Sequence, residues 1–328
     1  MSTLISSVQR ALHVSESGFL DSTTQSAIKN FQMRVSLRPT GELDDNTIKK
    51  LKTHASLNIS ETADTTAIGT YEMNPNEIDY NESMNYTSDM FETLYTNNID
   101  IKKRYLDADE YVNEYTPKSM IFLHHTAGWN DPYHTIKWWN DDARGRIATE
   151  FVIGGINFET DEAKHDGVIV QAFPEGNWAY HLGGAKRHGI TSKMVKESVG
   201  IEICNFGWLT ERYGKYYTYT GNEVPSKYVT KLDKPFRGYE YWHSYTDKQL
   251  KSLEGLIKHL GRKYNIDITR GIKEELAIGF DKHHAFEYKD SFMLYPAPGL
   301  YSHTNVRKDK SDVYPHPKLI SMLENLYY

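Results

Sequence analysis

At 328 residues the chain has room for one large domain and a small one, each with its own core. A net charge of −6 gives no basic footprint, so no nucleic-acid partner is expected; a single cysteine, Cys204, excludes an intrachain disulfide and a cysteine-built zinc site. No run of about 18 apolar residues exists, so no stable membrane insertion is expected. MSTLISSVQRALHV lacks the basic-then-apolar order of a secretory signal, which points to synthesis in a cytoplasm.

Residues 1–57 read as a small all-α unit. TLISSVQRAL forms a first helix. In LDSTTQSAIKNFQMRV, Asp21 or Ser22 caps a second, with Ala27, Ile28, Phe31 and Val35 on its inner face. RPTGELDDNTIKKL then supplies a Pro/Gly turn, an aspartate cap and a short third helix. With VQRAL, TTQSAIKNFQ and TGELDDNTIKKL in that order, the segment resembles the three-helix peptidoglycan-binding domain found on cell-wall hydrolases. Residues 58–98 turn acidic and polar with no sustained period, as expected of a linker or extension.

Residues 99–328 alternate strand-like and helix-like stretches, which points to an α/β or α+β layer fold. SMIFLHH, ATEFVIGG, GVIVQAF and SVGIEIC read as short buried strands. TDKQLKSLEGLIKHLGRKY is an amphipathic helix with Leu250, Leu253, Ile257, Leu260 and Tyr264 on one stripe. Between them, residues 210–245 carry a tyrosine-rich insertion with hairpin turns.

Several of these segments end on residues that can carry chemistry. His124 and His125 close an apolar strand, where alternation lets only one of them face a given site. Glu202 lies inside an apolar strand with Ile201 and Ile203 facing the other way, a costly place for a carboxylate without a cation. NWAYHLGG puts Trp178, Tyr180 and His181 before a glycine pair, a composition suited to a cleft wall. In SHTNVRKDKSD, His303 and Asp312 can ligate a metal, and Lys310 can offset negative charge on a reacting oxygen. Arg307, Lys308 and Asp309 read as solvated spacer. His283, His284 and His316 are rival ligands on composition alone.

IFLHHTAG, ATEFVIGG, VIVQAF, AYHLGG, SVGIEI and HTNVRKDKSDVYPHP, in that order, resemble the zinc-dependent N-acetylmuramoyl-L-alanine amidases. That superfamily includes peptidoglycan recognition proteins and phage amidase-type lysozymes. The resemblance implies an α/β fold, a mixed central sheet flanked by helices, and one Zn²⁺ per chain on His124, His303 and Asp312, selecting His124 over His125. It implies Glu202 as the base that takes a proton from water and Lys310 as charge stabiliser. It puts His181 near substrate, and Trp178 and Thr126, beside the same motifs, are expected to contact substrate as well. Glu150 is a second candidate for the base, and His125 an additional site residue. Bacterial peptidoglycan is the expected partner. The missing leader fits a phage endolysin, or a hydrolase carried by a phage or injection particle, that reaches the wall after holin-type release or delivery. Two other classes are a non-catalytic wall-binding part of such a particle and a two-histidine, one-carboxylate iron oxygenase. The oxygenase pattern usually begins with H-x-D, which His124 and Asp312 do not form.

Overall fold

The computed structural model describes residues 2–54 and 99–327, except 13, 15, 35, 36, 38, 39, 184–187, 280 and 295. The expected linker at 58–98 and the inner-face position of Val35 lie outside the described residues. Two compact units divide the chain, one within residues 1–85 and the other within 86–328.

The first unit holds helices α1 (Ser2–Ala11), α2 (Ser22–Arg34) and α3 (Asp45–His54) around Val8, Ile28, Phe31 and Leu51. Asp21 Oδ1 accepts from Thr24 N, and Asp44 Oδ1 from Thr47 N, so an aspartate caps each of the two later helices. These caps belong to an internal repeat that composition and helical period conceal. Gln9 Nε2 donates to Ser17 Oγ, Phe19 O and Thr24 Oγ1, while its Oε1 accepts from Gly18 N. Gln32 makes the same set with Thr40 Oγ1, Glu42 O, Thr47 Oγ1 and Gly41 N. Both glycines sit at positive φ, 73° and 81°, where a side chain would be strained. Each buried glutamine thus ties one helix to the turn and cap of the next. Gln32→Ala strands several of these groups at once, and we expect a loss of about 2–3 kcal/mol in this unit. Hydrogen exchange of the α2 and α3 amides along a urea series measures it; unchanged protection there would refute the role.

The second unit begins with β1 (Ile101–Lys103), β2 (Met120–His125), α4 (Pro132–Asp141), β3 (Phe151–Ile153), β4 (Ile169–Gln171), α5 (Ser192–Lys196) and β5 (Ser198–Ile203). After a second sheet come α6 (Asp247–Tyr264), α7 (Ile272–Ile278), α8 (Asp290–Leu294), β11 (Gly299–Ser302), α9 (His303–Val306) and α10 (Pro317–Glu324). The central sheet runs β1-β4-β3-β5-β2-β11; β3, β5, β2 and β11 are parallel, and β4 is antiparallel to β3. This is the mixed sheet flanked by helices that the family resemblance implies, and the α/β alternative of the two that the alternating pattern leaves open.

Alternation sorts the two faces. Ile121, Leu123, Ile201 and Ile203 point to a core closed by the apolar stripe of α6. That helix opens on a capping box in which Thr246 and Gln249 bond reciprocally. Met120 and Phe122 point the other way, against Met194 and Val195 of α5 and Phe292 of α8. Among the described residues, no helix is long and apolar enough to cross a membrane.

The tyrosine-rich insertion is more than a hairpin. It forms a five-stranded antiparallel sheet, β8-β7-β6-β10-β9, from β6 (Trp208–Arg212), β7 (Lys215–Tyr217), β8 (Glu223–Val224), β9 (Val229–Phe236) and β10 (Tyr239–His243). Trp242 of β10 is fully buried and stacks on Tyr314 at 4.5 Å, and Tyr245 stacks on Tyr314 at 5.0 Å. Tyr314 also donates to His243 O at 2.8 Å. The insertion therefore grips the chain two residues beyond Asp312.

Candidate metal centre and its cleft

His124, Glu202 and His303 reach one place because three neighbouring parallel strands end there. His124 is paired with Glu202 across β2 and β5, and Ser302, the last residue of β11, is paired with Leu123. His303 follows at once as the first residue of α9. The carboxyl ends of parallel strands are where open α/β sheets gather ligands. The short α9 is held by a Ser302–Asn305 capping box, and Asn305 Nδ2 donates to Ala285 O and Glu287 O. Thr304 N donates to Asp312 O at 3.1 Å, which folds the end of the charged loop back onto its start.

His124 Nδ1 lies 3.0 Å from His303 Nδ1 and 3.2 Å from Asp312 Oδ2, and His303 Nδ1 lies 2.9 Å from Asp312 Oδ2. Among the described residues this is the one cluster of three such side chains able to hold a metal ion. Ligand bonds of 2.0–2.2 Å in a tetrahedron set neighbouring donor atoms about 3.3–3.6 Å apart, so the triangle is within a few tenths of an ångström of a zinc face. Lone pairs converging this closely need a proton or a cation between them. The residues fit a zinc ion.

The charge states also fit. Burial first, then His303, brings His124 down to about 4 against the opposing pull of Asp312, so it is neutral at pH 7, the form a metal-ligating imidazole needs. Burial raises Asp312, yet His303 and His124 outweigh it and hold the carboxyl well below the usual range. Glu202 Oε2 is 4.0 Å from His124 Nδ1 and is buried without a hydrogen-bond partner. Burial, with Asp312 next, pushes its carboxyl well above the ordinary range, while Lys310 works in the opposite direction.

Beside the cluster opens a cavity of about 560 Å³ whose lining includes His181, His303, Lys310, Arg146, Tyr180 and Arg307. Lys310 has no ion-pair partner among the described residues, which leaves its charge for a ligand. Arg307 corrects the reading of a solvated spacer: its side chain is 13% exposed, it pairs with Asp309, and Nη1 reaches Leu182 O at 3.3 Å. It struts one wall of the cleft. Arg146, held by its own amide to Glu110 and by Nε to Asp109 O, forms another wall; the charged ARGR stretch before β3 was its signal in the sequence.

Other expected site residues lie elsewhere. His125 points to the opposite face, with Nδ1 3.4 Å from Tyr245 OH, and does not join the triangle. Glu150 accepts from Gln171 Nε2 at 3.0 Å; burial raises its carboxyl, and the charges around it are Lys118, Glu175 and Lys263 rather than those of the cluster. It precedes β3 and bonds to Gln171 of β4, whereas Glu202 is the residue paired with His124. Thr126 Oγ1 accepts from Gly128 N and Asn205 N, so its hydroxyl builds the turn after β2 and is absent from the cavity lining. Trp178 is buried and absent from the cavity lining, donating to Glu114 with Lys196 over its ring at 5.0 Å. Of the rival histidines, His316 caps α10 through Lys318 N, and His283 and His284 sit in a 3₁₀ turn.

Residues 114–312 match the family model described as N-acetylmuramoyl-L-alanine amidase, and residues 8–51 match that of a peptidoglycan binding domain. Among solved structures, the chain is similar to the N-acetylmuramoyl-L-alanine amidase LysC from Clostridium intestinale URNW. Identity is 19% over 70% of this chain and 99% of that one, with a TM-score of 0.35. It is similar to the Ph2119 endolysin from Thermus scotoductus MAT2119 bacteriophage Ph2119, at 14% identity over 69% and 99% of the two chains and a TM-score of 0.35. A third likeness is to the amidase AmiD from E. coli, at 19% identity over 48% of each chain and a TM-score of 0.29. Comparison with curated proteins gives no match.

Proposed function

We propose, on the premise that the chain belongs to the N-acetylmuramoyl-L-alanine amidase family, that it is a zinc-dependent hydrolase with one Zn²⁺ per chain held by His124, His303 and Asp312. Its reaction cleaves the amide between the lactyl group of N-acetylmuramic acid and the L-alanine of the stem peptide in bacterial peptidoglycan. The observation that carries the zinc reading is the triangle of two imidazole nitrogens and one carboxylate oxygen, each edge between 2.9 and 3.2 Å, with an unpartnered carboxylate beside it. A wall-binding module has no use for such a set.

Bound there, zinc supplies Lewis acidity, acidifying water and polarising the scissile carbonyl. Glu202 takes a proton from the attacking water as its oxygen bonds to the lactyl carbon. The same carboxyl returns that proton to the alanine nitrogen as the carbon–nitrogen bond breaks. Lys310, at the cavity wall and without an ion-pair partner among the described residues, faces the negative charge that grows on the carbonyl oxygen. The N-terminal unit, joined through residues 58–98, holds the enzyme on polymeric wall and raises its local concentration.

Digestion of purified peptidoglycan with and without chelator tests this reading. The expected result is new amino termini without new reducing sugars, lost on chelation; reducing ends in place of amines would sink it. Lys310→Ala is expected to keep the metal and lose about 10²–10³ in turnover. Parent-like digestion by that variant would remove Lys310 from the mechanism.

A further inference from the structure

His181 has a second relationship to the metal cluster that its place on the cleft wall does not require. Its Nδ1 lies 3.0 Å from His124 Nε2, and its Nε2 lies 2.8 Å from Ser198 Oγ. Ser198, Gly200 and Glu202 are alternate residues of β5, on the face that also carries His124. Each does something different there. Glu202 stands beside His124. Gly200 leaves room for the His181 ring: a Cβ at this position would lie 3.0 Å from His181 Cγ and Nδ1 and 2.8 Å from Thr149 Cγ2. Ser198 fixes a proton.

The hydrogen-bond inventory then runs in one direction. Ser198 Oγ is 2.5 Å from Met194 O, and a hydroxyl has a single proton, which that carbonyl takes. Toward His181 the oxygen can only accept, so His181 Nε2 carries the ring proton. Among the described residues no carboxylate is hydrogen-bonded to His181, and a neutral imidazole with Nε2 protonated has a bare Nδ1. His124 Nε2 must therefore donate to it. With its proton on Nε2, His124 presents a lone pair at Nδ1, the atom facing His303 and Asp312.

We infer that Ser198 and His181 form a relay that sets the tautomer of His124 for metal binding, making His181 a positioning residue for the metal ligand. The inference rests on the metal reading above. It is specific to one ligand: His303 Nε2 is buried with no hydrogen-bond partner, so nothing among the described residues holds the other histidine in the same way. Outer partners of ligating histidines act on the metal through ring orientation and basicity, and their loss typically costs about 10–100-fold in affinity.

The test is zinc affinity of the full chain, parent against Ser198→Ala, in competition with a chromophoric chelator. It is paired with long-range ¹H–¹⁵N spectra that read the protonated nitrogen of each histidine. The expected result is His181 protonated at Nε2 and His124 at Nε2 in the parent, with zinc held about 10–100-fold more weakly by Ser198→Ala. In that variant the His181 signals should lose their single-tautomer pattern. Zinc uptake by the parent with His181 protonated at Nδ1, or with unchanged affinity and tautomer in Ser198→Ala, overturns the relay alone. A parent that takes up no zinc overturns the metal reading and the relay with it.

Discussion

Asp312→Ala and His303→Ala are each expected to leave a folded chain that does not retain zinc and does not release amino termini from peptidoglycan. Each removes one corner of a triangle whose edges are 2.9–3.2 Å. Two protein ligands remain where a catalytic zinc site uses three. Lewis-acid stabilisation is worth several kcal/mol, so the rate loss is on the order of 10³ or more at 1.36 kcal/mol per decade. The fold should survive because Val313 and Tyr314, both fully buried, anchor the segment independently of the carboxylate. Zinc content after gel filtration is the first measurement. The second is melting with and without added zinc: the parent gains stability by mass action, and neither variant should. A variant that retains stoichiometric zinc would exclude that residue from the ligand set.

Glu202→Gln is expected to cost about 10²–10⁴ in turnover while leaving metal content at the parent level, since the amide keeps the shape and loses the proton acceptor. It carries a second signature in stability. The Glu202 carboxyl is raised well above its ordinary value by burial and then by Asp312. Between the ordinary carboxylate range and that raised value, the folded metal-free chain holds a proton that the unfolded chain has released. Stability contributed by this group is therefore complete at low pH and is lost as pH rises through the interval. Glutamine has no proton to lose, so the metal-free variant should melt higher than the metal-free parent at neutral pH, with a gap that narrows toward pH 4. Calorimetry at several pH values reads this. A gap that widens on acidification would mean that Glu202 is stabilised as an anion, and the raised carboxyl would fall; parent-like turnover by Glu202→Gln would remove it as the base.

Much of the site was legible because several of its residues sit at the ends or within the runs of short apolar strands. IFLHH and VGIEI announce His124 and Glu202 by interrupting hydrophobic stretches with ionisable groups. Periodicity alone also separated the two histidines onto opposite faces without saying which face mattered. The cleft walls were less legible. Arg307 looked like a solvated spacer because its partners, Asp309 and Leu182 O, are set by the fold of a loop rather than by any repeat in the chain. Glu150 looked like a rival base because it is an acidic residue near the start of the ATEFVIGG run, whereas it precedes β3, which begins at Phe151, and has Gln171 as its hydrogen-bond partner.

The order of residues already carries the two kinds of unit, the strands that hold His124 and Glu202, the amphipathic α6 and the composition of a candidate metal site. These follow from hydrophobic period and local chemistry, which act over a few residues. Long-range packing makes GLYS into β11, paired in parallel with β2, and so brings His303 to His124 across 179 positions of chain. It alone decided that the tyrosine-rich insertion becomes a sheet whose Trp242 clamps Tyr314 and thereby seats Asp312. It alone joined Ser198 to His181 and His181 to His124. Strand pairing and side-chain packing depend on which distant segments meet, and no local pattern records that. A four-residue apolar run and a tyrosine-rich hairpin have many possible partners until the core selects one.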